Sequence, residues 1–136
     1  MICAASDAVW DHPETAFQEF KSTEILCELL EKEGFSVERN LAGIQTAFSG
    51  RFGHGKPVVG ILGEFDAFPA FPRSRRALKR CLYVRGSRGH GCGHNLLCSA
   101  HVAGVIGLKE EMIQRNLPGT IVFYACPGEE LLTGNL

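Results

Sequence analysis

The chain has 136 residues, of which 45% are hydrophobic and 21% are charged, and its formal net charge is −1. This composition is typical of a folded protein with one domain and one sizeable core. The small net charge favours neither a nucleic acid nor an anionic membrane as a partner, and no apolar run approaches the roughly 20 residues that a bilayer span needs. The first residues lack the basic and apolar regions of a signal peptide, so we expect a cytoplasmic protein.

The first half of the chain predicts one helix and then two short strands. Residues 17–35, FQEFKSTEILCELLEKEGF, place apolar side chains at helical spacing with charges between them, and Gly34 is well suited to end the helix. The stretches SVERN and IQTAFSGRFG alternate well enough to predict two short strands.

The second half predicts buried elements. KPVVGILGEFD has the near-continuous apolar run of a strand covered on both faces, and it ends at Glu64 and Asp66. NLLCSAHVAGVIGLKEEMIQRN predicts a helix that is apolar over much of its surface and therefore buried. GTIVFYACP predicts a second buried strand, followed by the polar turn GEELLTGN. This order predicts an α/β fold, with helices on a mixed sheet.

Of the six cysteines, only Cys92 has the setting of a ligand. Cys27, Cys98 and Cys126 lie within helical or strand patterns, as small buried hydrophobic residues do in a reducing compartment. Cys92 lies in GHGCGHN, residues 89–95, between two histidines and flanked by glycines.

Thiolate, imidazole and carboxylate are the usual ligands of zinc. Cys92 and His94 alternate, so in an extended loop their side chains point the same way about 7 Å apart, and the glycines allow the loop to tighten. Taken alone, this spacing is more typical of a glycine-rich turn. Ligands of open α/β sheets gather outside the carboxyl ends of the strands, so we expect Asp66, residues 89–95 and the Glu129–Glu130 pair to meet there.

Glu129 and Glu130 are adjacent, so they cannot face one ion in the same way. This favours divided roles, in which one carboxylate binds metal and the other takes a proton from an attacking water. The alternative is a solvated acidic turn.

GILGEFDAFP, GHGCGHN and YACPGEE, in this order, resemble motifs of the dinuclear zinc aminopeptidase-like family of aminoacylases and carboxypeptidases. The similarity is greatest to its amidohydrolase branch, which contains N-acyl-amino-acid hydrolases, p-aminobenzoyl-glutamate hydrolase and a mammalian dipeptidase. VWDHPETAFQEFKS is similar to the helix entry of that branch. The resemblance covers nearly the whole chain except roughly residues 70–88.

The resemblance implies a three-layer α/β catalytic domain that binds two divalent ions, zinc or manganese. It implies that Cys92, in the place of a bridging ligand, binds metal together with His94 and Glu130, and that Glu129 is the general base. Asp66 is expected to orient His94 or a neighbour. The implied reaction is cleavage of the amide bond of an N-acyl amino acid or an unusual dipeptide, in proteins that form homo-oligomers.

Two features depart from the family. Its catalytic domain continues beyond the Glu–Glu turn, supplies further histidine ligands and carries an inserted dimerisation domain, whereas this chain stops six residues after Glu130. We therefore expect residues 1–136 to be a partial catalytic domain. Residues 73–88 carry arginines and lysines without one acid, which is typical of a solvated loop or of a frameshifted or alternatively spliced segment. Without an aromatic platform, a nucleic-acid patch is disfavoured.

Two alternatives to an amidohydrolase fragment remain open. One is a catalytically inactive, truncated homologue that acts, if at all, as a binding or association module. The other is a thiol enzyme that uses Cys92 with His90 or His94, but no third residue that would orient the histidine is suggested by the sequence.

Overall fold

A computed structural model describes residues 1–69 and 88–131. Three helices are present in these ranges: α1 (Ile2–Asp11), α2 (Phe20–Lys32) and α3 (His94–Arg115). The strands are β1 (Ser36–Arg39), β2 (Phe48–His54), β3 (Val58–Glu64), β4 (Phe68–Pro69), β5 (Arg88–Gly89) and β6 (Gly119–Cys126). Short 3-10 turns cover Leu41–Gly43 and Glu129–Leu131.

Four strands form a mixed sheet in the order β1–β2–β6–β3. β3 runs parallel to β6, with Val58 opposite Thr120 and Glu64 opposite Cys126. β2 is antiparallel to both β6 and β1. The predicted α/β class, with a mixed sheet flanked by helices and with β3 adjacent to β6, is thereby confirmed.

The hydrophobic core lies between one face of this sheet and the three helices. Phe48, Ile121 and Phe123 project from the sheet into a cluster with the buried sides of all three helices. At the far end of the core, Lys109 on α3 donates to the backbone oxygen of Glu33, 2.9 Å away, just beyond the end of α2. The helices are therefore fixed to each other as well as to the sheet.

The prediction that β3 is covered on both faces is wrong for the residues that the structure describes. Val58 and Leu62 are 56% and 53% exposed, and Val59 is also exposed. β3 is an edge strand here, since β6 is its only neighbour in the four-stranded sheet. Its apolar run resembles that of a central strand, but no second covering layer lies within 1–69 and 88–131.

The prediction that α3 is buried over much of its surface is also wrong. Only one side of the helix enters the core, through Cys98, Val102 and Val105, while Leu96 and Leu108 are exposed. Cys27 and Cys98 are buried as predicted, whereas Cys126 is only half-buried. The five cysteines that the structure describes are all free thiols.

The helix predicted from residue 17 begins instead at Phe20. Phe17 has φ of 59°, a left-handed conformation that a helix does not accommodate. Helix α1 was not predicted, although its residues are largely apolar. None of the helices in the described part of the chain is long and apolar enough to cross a membrane.

Candidate metal centre

The GHGCGHN stretch becomes the entrance to α3. Gly93 precedes the helix with φ of 84°, a left-handed conformation that glycine adopts without strain, and its carbonyl oxygen accepts from the amides of Leu96 and Leu97. His94 is the first residue of the helix and is buried, while Cys92 is exposed. The glycines therefore allow a sharp turn that directs His94 inward.

The parallel pairing of β3 and β6 brings the acidic residues to the same place. Glu64 ends β3 opposite Cys126, which ends β6, and both strands run in the same direction. Asp66 follows β3 and is completely buried, and Glu129 and Glu130 lie in the short turn that follows β6. The expected meeting of Asp66, residues 89–95 and the Glu129–Glu130 pair is therefore observed.

Asp66 fixes the orientation of the His94 ring. His94 Nδ1 lies 3.0 Å from Asp66 Oδ1 and 3.1 Å from the Asp66 backbone oxygen. Both partners are acceptors, so Nδ1 carries the proton and donates it. The other carboxylate oxygen, Asp66 Oδ2, accepts from the backbone amide of Glu130 at 2.9 Å. Asp66 thus connects the histidine to the acidic turn, as the sequence led us to expect of an orienting residue.

The second ring nitrogen of His94 faces two carboxylates. His94 Nε2 lies 3.5 Å from Glu64 Oε2 and 3.6 Å from Glu129 Oε2. Since Nδ1 holds the neutral ring's proton, the Nε2 lone pair would face two anionic oxygens, an arrangement that a proton or a metal ion between them stabilises. Glu64 was not among the residues predicted to bind metal. The signal was present, because the apolar run of β3 ends at Glu64, but only Asp66 was given a role there.

Cys92, His94 and Glu130 form a second group with suitable ligand atoms. One such atom from each residue lies within 4.8 Å of the others, and the same holds for Glu64, His94 and Glu129. Glu130 Oε1 is buried without a hydrogen-bond partner and lies 3.7 Å from His94 Nδ1. A buried carboxylate oxygen without such a partner is costly, and a bound cation would compensate for it. The donor set of thiolate, imidazole and carboxylate therefore fits a divalent metal ion.

The site raises the pKa of two of its groups, the Cys92 thiol and the Glu130 carboxyl. Loss of hydration, followed by the carboxylates of Glu130, Glu129 and Glu64, raises the pKa of the Cys92 thiol. Loss of hydration also raises the pKa of Glu130; His94 acts in the opposite direction, and Asp66 and Glu129 add to the rise. Both groups must lose their protons to bind a metal ion, so protons compete with the metal ion at this site.

The first prediction concerns Asp66 and His94. The hydrogen bond from His94 to Asp66 raises the pKa of the imidazole above its usual value, although partial burial acts in the opposite direction. The protonated ring therefore contributes stability that is fully present below the unfolded pKa, about 6.5, and is lost as pH rises through the folded value. We expect Asp66→Asn to lower the pKa of His94 in the metal-free chain, as measured by NMR titration of the ring protons.

Glu38→Gln, which removes a carboxylate from the exposed strand β1, is the matched control for Asp66→Asn. It should leave the His94 titration unchanged. An unchanged titration in Asp66→Asn, with the fold retained, would contradict the role of Asp66.

His90 lies outside both groups of metal-ligand atoms. Its Nε2 is 3.1 Å from the backbone oxygen of Val9, and its ring stacks on Trp10 with centroids 6.3 Å apart. Burial lowers the pKa of His90, which favours the neutral ring. His90 therefore connects the loop before α3 to α1. The basic stretch at 73–88 lies outside the described residues except for Arg88, which is in β5.

No protein-family model matches the chain, but individual relatives do. It is 46% identical over 125 residues to one chain of the p-aminobenzoyl-glutamate hydrolase of Escherichia coli, covering 92% of this chain and 26% of the relative. It is 32% identical to N-acetylcysteine deacetylase of Bacillus subtilis, covering 91% and 32% respectively. It is 29% identical to Xaa-Arg dipeptidase of Mus musculus, covering 93% and 28%.

A solved structure agrees with these relatives. A Bacillus subtilis protein described as a dinuclear metal binding peptidase from the M20 family superposes with a TM-score of 0.78 at 25% identity, covering 98% of this chain and 36% of that one. The chain shares its fold with this structure. It is homologous to the p-aminobenzoyl-glutamate hydrolase chain, N-acetylcysteine deacetylase and Xaa-Arg dipeptidase, and the resemblance inferred from its motifs is confirmed. It spans about a quarter to a third of the length of the curated relatives that it matches.

Proposed function

We propose that residues 1–136 are part of the catalytic domain of a metal-dependent amidohydrolase whose complete form cleaves the amide bond of an N-acyl amino acid or an unusual dipeptide. One observation carries this proposal above the others: Cys92, His94 and Glu130 bring ligand atoms within 4.8 Å of one another at the carboxyl ends of two parallel strands. That donor set suits zinc, and its carboxylates also accept manganese.

Each residue has a proposed role. Cys92, His94 and Glu130 hold metal, and Asp66 binds Nδ1 of His94, which leaves Nε2 directed at Glu64 and Glu129. A bound divalent ion would polarise the amide carbonyl and lower the pKa of a water. Glu129, 25% exposed in its side chain and thus open to solvent, takes the proton of that water and delivers it to the leaving amine.

The relatives support the proposed substrate class. The names of three relatives are p-aminobenzoyl-glutamate hydrolase, N-acetylcysteine deacetylase and Xaa-Arg dipeptidase. The substrate in each name has an acyl group joined by an amide bond to an amino acid. We propose the same linkage here, with a small-molecule substrate rather than a nucleic acid or a membrane. The free thiols fit a reducing cytoplasm, and we expect the complete protein to form homo-oligomers.

A second candidate is an inactive binding or association module. Catalytic metal sites use about three protein ligands for each ion, and Cys92, His94 and Glu130 supply three for a pair of ions. The exposed apolar residues of β3 and α3 favour association with another protein surface. Both candidates include the same metal-binding residues. Only the first predicts catalytic turnover by the complete protein.

The second prediction separates the two candidates. The purified 136-residue chain should hydrolyse N-acyl amino acids little or not at all, even with added zinc or manganese. A chimera in which this chain replaces the matching segment of the Escherichia coli relative should regain metal-dependent hydrolysis of p-aminobenzoyl-glutamate, measured by release of the amine. The high identity of the two segments makes the exchange structurally mild.

The chain alone and the chimera give distinct outcomes. Metal-dependent turnover by the chain alone would contradict the view that it lacks ligands. A folded, metal-loaded chimera without turnover would contradict the catalytic proposal and favour the binding module.

A further inference from the structure

We propose that Glu19 is a positioning residue for the Glu129–Glu130 turn, a role that depends on the proposed function only for its catalytic consequence. Glu19 immediately precedes α2 and is completely buried. Its Oε1 accepts two backbone hydrogen bonds, from Phe17 at 2.9 Å and from Gly128 at 3.0 Å. The second bond spans 109 residues and reaches the amide immediately before Glu129.

The backbones of the two segments are shaped to fit each other around this carboxyl group. Phe17 has φ of 59°, which is unfavourable for a phenylalanine, and Gly128 has φ of 75°. A Cβ atom on Gly128 would lie 2.7 Å from Phe17 Cζ, so only glycine leaves room for the ring. Phe17 keeps this strained conformation because its amide donates to Glu19 and its ring packs against Gly128.

The acidic turn is therefore held from both sides by carboxyl groups. Glu19 accepts from the amide of Gly128, and Asp66 accepts from the amide of Glu130. Glu129 lies between these two fixed amides. Groups that orient metal ligands in this way commonly change metal affinity by about 10–100-fold when they are removed. Glu19 thus positions Glu129 and Glu130 relative to His94 without touching metal or substrate.

The role needs an acceptor oxygen of the right reach and does not need a negative charge. Loss of hydration on burial raises the pKa of Glu19, and Oε1 can accept the two backbone hydrogen bonds whether or not the carboxyl group is protonated. Glutamine keeps this oxygen at the same distance from the backbone. Aspartate keeps the charge but is one methylene shorter and cannot reach Gly128.

The test compares Glu19→Gln, Glu19→Asp and Glu19→Ala in the 136-residue chain. The matched control is Glu14→Ala, because Glu14 accepts from the amides of Lys21 and Ser22 at the start of α2 and not from the acidic turn. Two quantities are measured: exchange of the Gly128 amide in the metal-free chain, and the affinity for Co²⁺ followed by its visible absorption. Circular dichroism monitors the fold.

We expect Glu19→Ala and Glu19→Asp to expose the Gly128 amide to exchange and to weaken Co²⁺ binding by about 10–100-fold. Glu19→Gln should behave like the unmodified chain, and Glu14→Ala should lower thermal stability without changing either readout. If Glu19→Ala does not fold, the exchange and affinity measured for Glu19→Asp test the proposal.

Three results would overturn the proposal: unchanged exchange and affinity in Glu19→Asp, rescue by aspartate but not by glutamine, or unfolding of all Glu19 variants while Glu14→Ala folds. Failure of the unmodified chain to bind Co²⁺ would instead count against the proposed function. The exchange of the Gly128 amide would still decide the role of Glu19.

Discussion

Replacement of Cys92 by serine is expected to weaken Co²⁺ or Zn²⁺ binding to the chain by more than about 100-fold, since loss of a ligand should exceed the effect of losing an orienting group. Cys92 is exposed and shares its ligand group with His94 and Glu130. In the Co²⁺ form, the near-ultraviolet absorption that arises from thiolate-to-cobalt charge transfer should disappear, because the serine oxygen cannot supply it.

The pH dependence of this binding has a defined sign. Because loss of hydration and the neighbouring carboxylates raise the pKa of Cys92, protons compete with metal for the thiolate over a wider range. Affinity should therefore rise as the solution is taken from mildly acidic to mildly alkaline pH, and this rise should be shallower in Cys92→Ser. Titration of the same protein at several pH values measures both effects.

The control is Cys3→Ser, which removes another exposed thiol, one carried by α1. It should leave affinity and absorption unchanged. Equal affinity in Cys92→Ser and the unmodified chain would show that the ion is held by Glu64, His94 and Glu129 without the thiol. Those three residues form the other group of suitable ligand atoms.

The parts of the fold that sequence predicts best are those with strong local patterns. The patterns locate β3, β6 and α3 almost to the residue, because an apolar run that ends at a charged pair, or a helical repeat preceded by glycine, leaves few alternatives. The parallel pairing of β3 with β6 then follows from the helix between them, which supplies the crossover. This pairing is what brings the two acidic strand ends together.

Burial is predicted less well because it depends on what lies on the other side of an element. Leu62 on β3 and Leu108 on α3 belong to sequences typical of covered elements, yet both are exposed among the residues that the structure describes. Hydrophobic periodicity reports which surface an element can bury. It does not report whether a neighbour is present to bury it.

Glu19 and Glu64 escape prediction for a different reason. Both are glutamates in sequences that contain many others, so neither stands out by residue type. Glu19 falls among the charges of a helical pattern, whereas in the structure the left-handed conformation of Phe17 accompanies a carboxyl group that points inward. The position of Glu64 beside His94 and Glu129 can be inferred only when the β3–β6 register is known. Such long-range contacts leave no local pattern at Glu19, and at Glu64 the local signal is only its position at the end of the β3 apolar run.

The final prediction concerns Glu129 in the chimera with the Escherichia coli relative. Glu129→Gln should lower turnover by about 10²–10⁴-fold, the range expected for loss of a proton-transfer group, while the metal content stays unchanged. Glutamine keeps the size of the side chain and cannot accept the proton. Metal content by elemental analysis and turnover by amine release are measured on the same preparation.

Glu130→Gln and Glu38→Gln complete this experiment. Glu130→Gln should lower metal content as well as turnover, because Glu130 is the proposed ligand, and Glu38→Gln on exposed β1 should change neither. The opposite result would also be informative. Glu129 Oε2 lies 3.6 Å from His94 Nε2, whereas Glu130 Oε1 lies 3.7 Å from His94 Nδ1. Nδ1 already donates to Asp66, so Nε2 is the nitrogen with a lone pair for metal. Loss of metal in Glu129→Gln with metal retained in Glu130→Gln would exchange the two roles, so that Glu129 is the ligand and Glu130 the base.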